Sequence, residues 1–589
     1  LLLGRGAIVR KLATGPLACF WLLLAAMLGL AVAGGVRYYL PVPAWDMWTG
    51  ALDFAMRAES EGLAPWWELH NEHRIVLPRL LYWAEYHLFH SSSKALIALN
   101  YLFVALVALF FNAALRLRLS EGTGAWNQAG DGDSLSIGLF IAAWLFLWIQ
   151  RENLIWAFQS AFFLAFLLPL AAFAFFEASL SGKRSVRWFA ACLVGGVLSV
   201  GTMANGLLAL PVMLVFAIVL RQSLPRVALL ALAALLCAIA YFHGFEPLEA
   251  NRSPAAALLH APGEALGFIL LYLGNPFYHL VGGGAAGRTL GIAMGAFLAL
   301  LWLHAVHQLL KGRLGGPAAV TLLCFIAYVG ASAAATAAGR ASFSYAYAVG
   351  SRYTTPGLLA WAAVAVVYAP FLNALLSGRW RPATLGATAF LGLAMLLSQS
   401  RALWDGPPAY RTETDAGALA LELGARDPLF ESILSPTPEV LPPIAEGARE
   451  RGLSVFGQFP WSGLRERLGV SAPPLDGLPS CQGAVTSAAA LEGSPRFLRV
   501  SGWLVDAASE STPRLVTFLT LDGKVAGFAL TSQRARSQQT WAALGREQPS
   551  GEFIGYLLAD AADRLELVRG EEALCDLPLS DEDRARIEP

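Results

Sequence analysis

The sequence predicts an α-helical polytopic membrane protein of about 11 transmembrane helices, followed by a C-terminal extracytoplasmic β-rich domain of sandwich or jelly-roll type. Three observations predict it. The 589 residues are 56% hydrophobic and 14% charged, against about 25% charged in an ordinary soluble domain. Apolar runs of about 20 residues, the length a bilayer crossing needs, recur through the first 400 residues. The charge also changes character near Arg401. The 42 basic and 42 acidic residues cancel, but 18 of the basic and 27 of the acidic lie in 401–589. This composition excludes a soluble enzyme, a disordered chain and a nucleic-acid binder with a basic face.

The predicted spans are 17–39, 95–115, 135–149, 156–177, 188–204, 206–220, 227–242, 289–309, 317–338, 354–376 and 384–400. The chain starts at Leu1 rather than Met. The run from Leu17 to Tyr39 is too long for a signal-peptide core and reads as a retained first span. Segment 264–281 is apolar, but Gly274, Asn275 and Pro276 interrupt it. It is expected to be re-entrant or to lie on the outer surface.

Basic clusters at Arg5/Arg10/Lys11, Arg116/Arg118, Lys183/Arg184/Arg187, Arg221/Arg226, Lys311/Arg313 and Arg379/Arg381 mark one side of the membrane. Cytoplasmic loops are the ones enriched in Lys and Arg. Eleven crossings put all six clusters in the cytoplasm, with the N-terminus inside and the C-terminal domain outside. The expected location is the inner (plasma) membrane. The inner loops read as plain connectors, apart from a Gly/Asp-rich stretch at 120–134. The domains are then a membrane part (1–400), a helical or linker segment (401–480) and a β domain (481–589).

In the last of these, Phe497–Asp506 reads as a strand. Leu515–Leu521 and Val525–Leu530 flank Asp522-Gly523, a hairpin turn signal. Cys481 and Cys575 are the only cysteines of the C-terminal part. Outside the cytoplasm they can form a disulfide. Cys19, Cys192, Cys237 and Cys324 lie in apolar runs and read as buried small hydrophobes.

The outer loop 41–93 carries most of the polar chemistry. Its ionisable residues alternate with Trp45, Trp48, Trp66, Trp67, Tyr82 and Trp83, which favour the membrane–water interface. One or two amphipathic helices lying on the bilayer are expected. Asp46 stands a few residues past the first span, between two tryptophans. It can serve as a general base or metal ligand facing a lipid headgroup, or simply cap a helix.

The run Glu68, His70, Asn71, Glu72, His73, Arg74 is dense in polar groups. If helical, His70 and His73 share a face. They can then bind a divalent cation or belong to a hydrogen-bonded, substrate-facing patch with Arg74 on a lipid phosphate. No third ligand is specified, so no metal is assigned. Arg151-Glu152-Asn153, followed by Trp156 and Gln159, caps the third span. Arg340 and Ser351-Arg352-Tyr353 flank the last outer loop. The planar Arg fork suits a phosphate, and equally snorkels to ordinary headgroups. Asn275, Tyr278 and His279 are candidates to line a cavity, and Asn205-Gly206 reads as a tight outer turn.

The long outer loop opening on Trp45-Asp46-Met47-Trp48, the run His70–Arg74, the stretch Arg151–Gln159 and Ser351-Arg352-Tyr353 together resemble the GT-C class of bacterial polytopic membrane glycosyltransferases, over about residues 15–400. The resemblance implies inverting-type transfer of a sugar from a polyprenyl-phosphate donor to a glycan or lipid-linked acceptor of the cell envelope, on the outer face. It implies Asp46 as the base. Many members carry two adjacent or nearly adjacent acids there; this chain has Asp46 alone, with Asp53 seven residues on. Arg74, Arg151 and Arg352 are the cations available to the phosphate, and Trp45 and Trp48 are rings available to a sugar. The appended β domain resembles carbohydrate-binding-like domains of some members. The competing readings are a transporter or flippase of a lipid-linked saccharide, and a membrane-anchored carbohydrate-binding scaffold.

Overall fold

The computed structural model describes residues 3–120, 131–245, 261–340, 345–404, 411–473, 478–506, 512–531, 551–570 and 575–587. Most of the Gly/Asp-rich stretch at 120–134 and parts of the segments 243–288 and 339–353 lie outside them, as do the side chains of Arg5, Arg10, Lys11 and Arg340. The chain forms two compact units. One holds Leu1–Tyr39, Leu63–Leu81 and Lys94–Gly406; the other holds Leu40–Gly62, Tyr82–Ser93 and Pro407–Pro589.

The first unit is helical. Among the described residues, eight helices are long and apolar enough to cross a membrane: Leu17–Arg37, Lys94–Ser120, Ser134–Ile155, Ala157–Ser179, Leu224–Phe242, Gly284–Leu310, Ala319–Gly339 and Arg381–Leu403. A ninth is the pair Ser351–Val367 and Ala369–Ser377, bent by 65°. Two more predicted spans appear as shorter apolar helices, Ser185–Val200 and Ala204–Val219. Each of the 11 predicted segments therefore corresponds to an apolar helix, nine of them of spanning length by size and composition.

Segment 264–281 does not break where its sequence reads as interrupted. It is one unbroken helix, Pro262–Leu280, running through Gly274, Asn275 and Pro276. The physical reason lies in its partner, Gly284–Leu310. Gly287, Gly291 and Gly295 recur at intervals of four on that helix, the small-residue spacing that lets two backbones approach closely. A Cβ on Gly274 would stand 1.8 Å from the Gly291 carbonyl oxygen, and one on Gly295 1.9 Å from that of Leu270. Asn275 is fully buried and donates to the Ala348 carbonyl at 2.8 Å.

The second unit is built on one antiparallel sheet of seven strands: β1 (Cys481–Ala490), β2 (Phe497–Asp506), β3 (Leu515–Thr520), β4 (Val525–Thr531), β5 (Glu552–Leu558), β6 (Leu565–Gly570) and β7 (Cys575–Pro578), in the order β1-β2-β5-β4-β3-β6-β7. The hairpin at Asp522-Gly523 joins β3 to β4. The strands lie in a single sheet rather than two facing ones. Its two edge strands meet: Cys481 is bonded to Cys575, and Ser480 pairs with Asp576. The sheet is thereby curled into a half-barrel, which removes the exposed edges that invite aggregation.

Every residue of β3 and β4 is buried. The helix Arg411–Leu423 packs on β4 and β5. Asp427 ties the helical segment to the sheet. It caps the helix Pro428–Leu434 through the Leu429 N–H, and accepts from Arg499 of β2 and Tyr556 of β5 at 3.0 Å each.

Candidate functional site

In the second unit, Asp46 is half-buried and opens a helical run that continues through Trp48–Asp53, wound as a π-helix, into Phe54–Glu61. The residue before it, Trp45, has φ +53°, a left-handed conformation that costs an L-residue of this size free energy. Neighbouring structure compels it. The Trp45 backbone N–H donates to the Leu434 carbonyl at 2.7 Å, and its indole N–H to Ile433 at 3.2 Å. These carbonyls belong to the helix that Asp427 caps and links to the sheet. A continuous path of bonds thus runs from β2 and β5 to the residue that aims Asp46. Trp45 is half-exposed. Trp48 is fully buried with its ring 6.3 Å from that of Phe456, leaving no open face for a sugar.

In the first unit, two stretches far apart in sequence interlock. The Ser351 hydroxyl donates to the Ile149 carbonyl at 2.8 Å and accepts the Glu152 N–H at 3.2 Å. The buried Asn153 amide donates to the Arg352 carbonyl at 2.7 Å and the Thr355 hydroxyl at 2.6 Å. Thr355 donates onward to Gln150 at 2.7 Å. Thr354 donates to Asn275 at 3.0 Å, and His279 bonds the Val349 carbonyl at 2.9 Å. The Arg352 guanidinium meets the Glu152 carboxylate at 3.2 Å, with the two side chains about one-third exposed (34% and 28%). Arg352 lies in the first turn of the helix Ser351–Val367, where the helix dipole also favours anions. Tyr353, beside it, packs on Tyr272 and Phe162. Arg151 is exposed.

The run 68–74 is not helical, so His70 and His73 do not share a helix face. Each accepts the other's backbone N–H, at 2.8 and 2.9 Å, closing a tight turn through Asn71 (φ +52°) and Glu72. His70 is buried with its ring 5.1 Å from Phe158. Arg74 is buried too. Its guanidinium donates to the carbonyls of Trp67, Tyr241 (2.8 Å) and His243, and stacks over Trp67. Arg79 does similar work on the carbonyls of Trp66 and Glu68, and Tyr241 donates to the Glu72 carbonyl. Glu68 and Glu72 are half-buried. In this fold Arg74 holds the segment 66–74 in place, and its donors face protein carbonyls. Among the described residues no group of three or more His, Cys, Asp or Glu side chains gathers as a metal donor set. Among the described residues, no third His, Cys, Asp or Glu donor joins His70 and His73.

Buried polar groups inside the apolar segments escaped the sequence reading. Gln399 is fully buried, accepts the Trp148 N–H at 2.7 Å and donates to the carbonyls of Met27 (2.8 Å) and Phe146 (3.0 Å). It ties together three of the predicted spans. Its signal was a glutamine inside an otherwise apolar run.

No protein-family model matches the chain, and no curated protein does. Among solved structures the chain is similar to the oligosaccharyltransferase of Archaeoglobus fulgidus, crystallised with Zn and sulfate. Identity is 12% and the TM-score 0.35, over 69% of this chain and 56% of that one. The likeness therefore spans little more than half of that protein's length.

Proposed function

We propose that this chain is a membrane glycosyltransferase that moves a sugar from a polyprenyl-phosphate donor to a hydroxyl of a cell-envelope acceptor. Asp46 is the general base. The observation that carries the reading is the setting of Asp46. A left-handed Trp45 precedes it and a π-helical turn follows it, and backbone irregularities of both kinds concentrate at functional sites. The fold holds Trp45 in that state through Leu434 and Ile433. A helix cap alone would need no such support.

The chemistry balances simply. Asp46 takes the proton of the acceptor hydroxyl. The oxygen attacks the anomeric carbon from the face opposite the phosphate, and the bond from that carbon to the phosphate oxygen breaks. The electron pair leaves with the phosphate. Inversion at the anomeric carbon follows from the single displacement.

The test is transfer by the purified full-length protein in nanodiscs supplied with polyprenyl-phosphate sugars and envelope glycans. Asp46→Asn is expected to lower kcat by about 100-fold or more, in line with the loss of a general base, while leaving the thermal transition unchanged. Transfer that survives Asp46→Asn would remove the base assignment. Movement of lipid-linked sugar across vesicles, with no donor cleavage, would favour the flippase reading instead.

A further inference from the structure

A cavity of about 360 Å³ opens in the first unit where the helix Ser351–Val367 breaks before Ala369–Ser377. The 65° bend at Tyr368 leaves a gap beside the C-terminal end of Gly284–Leu310. The gap is fixed by a buried charge. Arg118 donates to the Gly315 carbonyl at 2.7 Å and the Val367 carbonyl at 3.2 Å, bolting the turn after one helix to the end of the other.

The polar part of the wall has a defined hydrogen-bond direction. The Tyr368 hydroxyl donates to the Leu301 carbonyl at 2.8 Å, so its oxygen accepts from Nδ1 of His304 at 2.7 Å. Nε2 of His304 then accepts from the Gln308 amide at 3.0 Å. Arg313 is the formal charge in the lining. It is exposed, and its side chain has no hydrogen bond or ion pair to another described residue. Leu314 and Phe371 make the lining largely apolar, and Phe371, Leu303 and Leu310 are exposed.

We infer that this cavity binds the phosphate of an anionic glycerophospholipid, with Arg313 on the phosphate, Gln308 and Tyr368 on the headgroup, and the acyl chains against Phe371 and Leu310. Arg313, as the guanidinium of the lining, selects a negative charge. The apolar lining and the exposed side chains select an amphiphile over a free anion. Lys311 adds a second cation close by in sequence, and basic pockets between spans are where such headgroups dock. The inference does not depend on the transferase reading.

The test uses full-length protein in nanodiscs of phosphatidylcholine with rising fractions of phosphatidylglycerol. The readouts are thermal unfolding and native mass spectrometry of retained lipid. Wild type is expected to retain phosphatidylglycerol over phosphatidylcholine and to gain thermal stability with it. Arg313→Ala is expected to raise the half-saturating fraction by about tenfold, and Arg313→Lys to recover part of it. Arg379→Ala, which removes a basic residue outside the lining, should leave it unchanged. The exposed Arg313 side chain makes no hydrogen bond or ion pair to another described residue, so its variants are expected to fold. A second variant, Tyr368→Phe, is expected to weaken retention without abolishing it. Equal retention by wild type and Arg313→Ala overturns the site. So does saturation of the same transition by inorganic phosphate, which would make the ligand a soluble anion.

Discussion

Glu152 holds Arg352 twice, by the 3.2 Å contact between carboxylate and guanidinium and by accepting the Arg352 backbone N–H at 3.3 Å. A partly exposed pair of this kind adds well under about 1 kcal/mol to stability. Its effect is on aim, since it fixes a flexible cation in the first turn of a helix. If Arg352 receives the donor phosphate, Arg352→Ala should cost about 10- to 100-fold in kcat/KM, the value of a charge-assisted hydrogen bond. Glu152→Gln should cost less and act mainly on donor KM, because the cation remains but is less fixed. Steady-state kinetics with a polyprenyl-phosphate sugar would distinguish them. Equal, large losses in kcat for both would instead make Glu152 part of the chemistry.

The bonds beneath that pair carry stability. Asn153 is fully buried and serves both the Arg352 carbonyl and the Thr355 hydroxyl. Removing one partner from a buried hydrogen-bond network leaves the others desolvated and unpaired, at a cost of about 1–3 kcal/mol. Asn153→Ala is expected to lower the detergent unfolding midpoint by that amount, and Thr355→Val by a similar one. Because the two residues share a bond, the double variant should cost less than the sum. Additive losses would mean that the two side chains act independently.

The disulfide joins residues 94 apart in sequence and closes the two edges of the sheet. β1 needs the support, because its register shifts between Val485 and Ser487. The C-terminal helix Asp581–Ile587 meets this need. Asp583 accepts the Val485 N–H, and Arg586 donates to the Val485 carbonyl, both at 3.0 Å. Cys481→Ser with Cys575→Ser should cost about 2–5 kcal/mol. Hydrogen exchange on the full-length protein should rise first at β1 and β7, with the central β4 still protected. Uniform loss of protection across all seven strands would contradict the edge-closure account.

How far the sequence reveals this fold depends on which force decides each part. Bilayer length and hydropathy are properties of a single segment, so the 11 predicted segments were legible as apolar helices. The Asp522-Gly523 turn and the β character of 481–578 were legible for the same local reason. The continuity of Pro262–Leu280 was not, because Gly274 and Pro276 read as breakers until Gly291 and Gly295 are known to face Gly274, and Gly357 to face Pro276. The run 68–74 misled in the opposite direction. His70 and His73 have helical spacing, but Arg74 and Arg79 spend their donors on carbonyls that fix a turn. Asp46 was visible as an isolated acid, whereas its support from Leu434 and Asp427 comes from a segment about 390 residues later and has no local signal.

Two carboxyls in the second unit give its stability a pH dependence. Burial pushes Glu422 up to about 7; its Oε1 accepts the Leu464 N–H, and its Oε2 has no partner among the described residues. Burial likewise raises Asp415 to about 6, against the pull of Arg411 and Arg514. A group that binds its proton more tightly when folded stabilises the fold below its unfolded value. That contribution is lost as pH rises through the folded one. The unit should therefore lose stability between about pH 4.5 and 7, by on the order of 3 kcal/mol from Glu422. Glu422→Gln should flatten the slope and be the more stable protein at pH 8. Urea unfolding of wild type and variant across that range, followed by hydrogen exchange at the helix Arg411–Leu423, would check it. A wild-type stability that rises over the same window would refute the assignment.

The glycines of the closely packed helix pair allow a ranking rather than a single value. A Cβ on Gly295 would lie 1.9 Å from the Leu270 carbonyl oxygen, and backbone cannot yield there without separating the helices. A Cβ on Gly291 meets instead the Leu271 Cδ1 at 2.7 Å, the far end of a side chain that can change rotamer. Gly330 and Gly386, on other helices, have nothing within 4 Å. Overpacking costs about 1–3 kcal/mol or more, whereas alanine in an open helical position gains up to about 1 kcal/mol over glycine. The expected order of unfolding midpoints is Gly386→Ala and Gly330→Ala at or above wild type, then Gly291→Ala, then Gly295→Ala lowest. If Pro262–Leu280 were re-entrant and made no close approach, Gly295→Ala would fall with the open positions. The place of that one variant in the series therefore decides whether the two helices pack backbone to backbone.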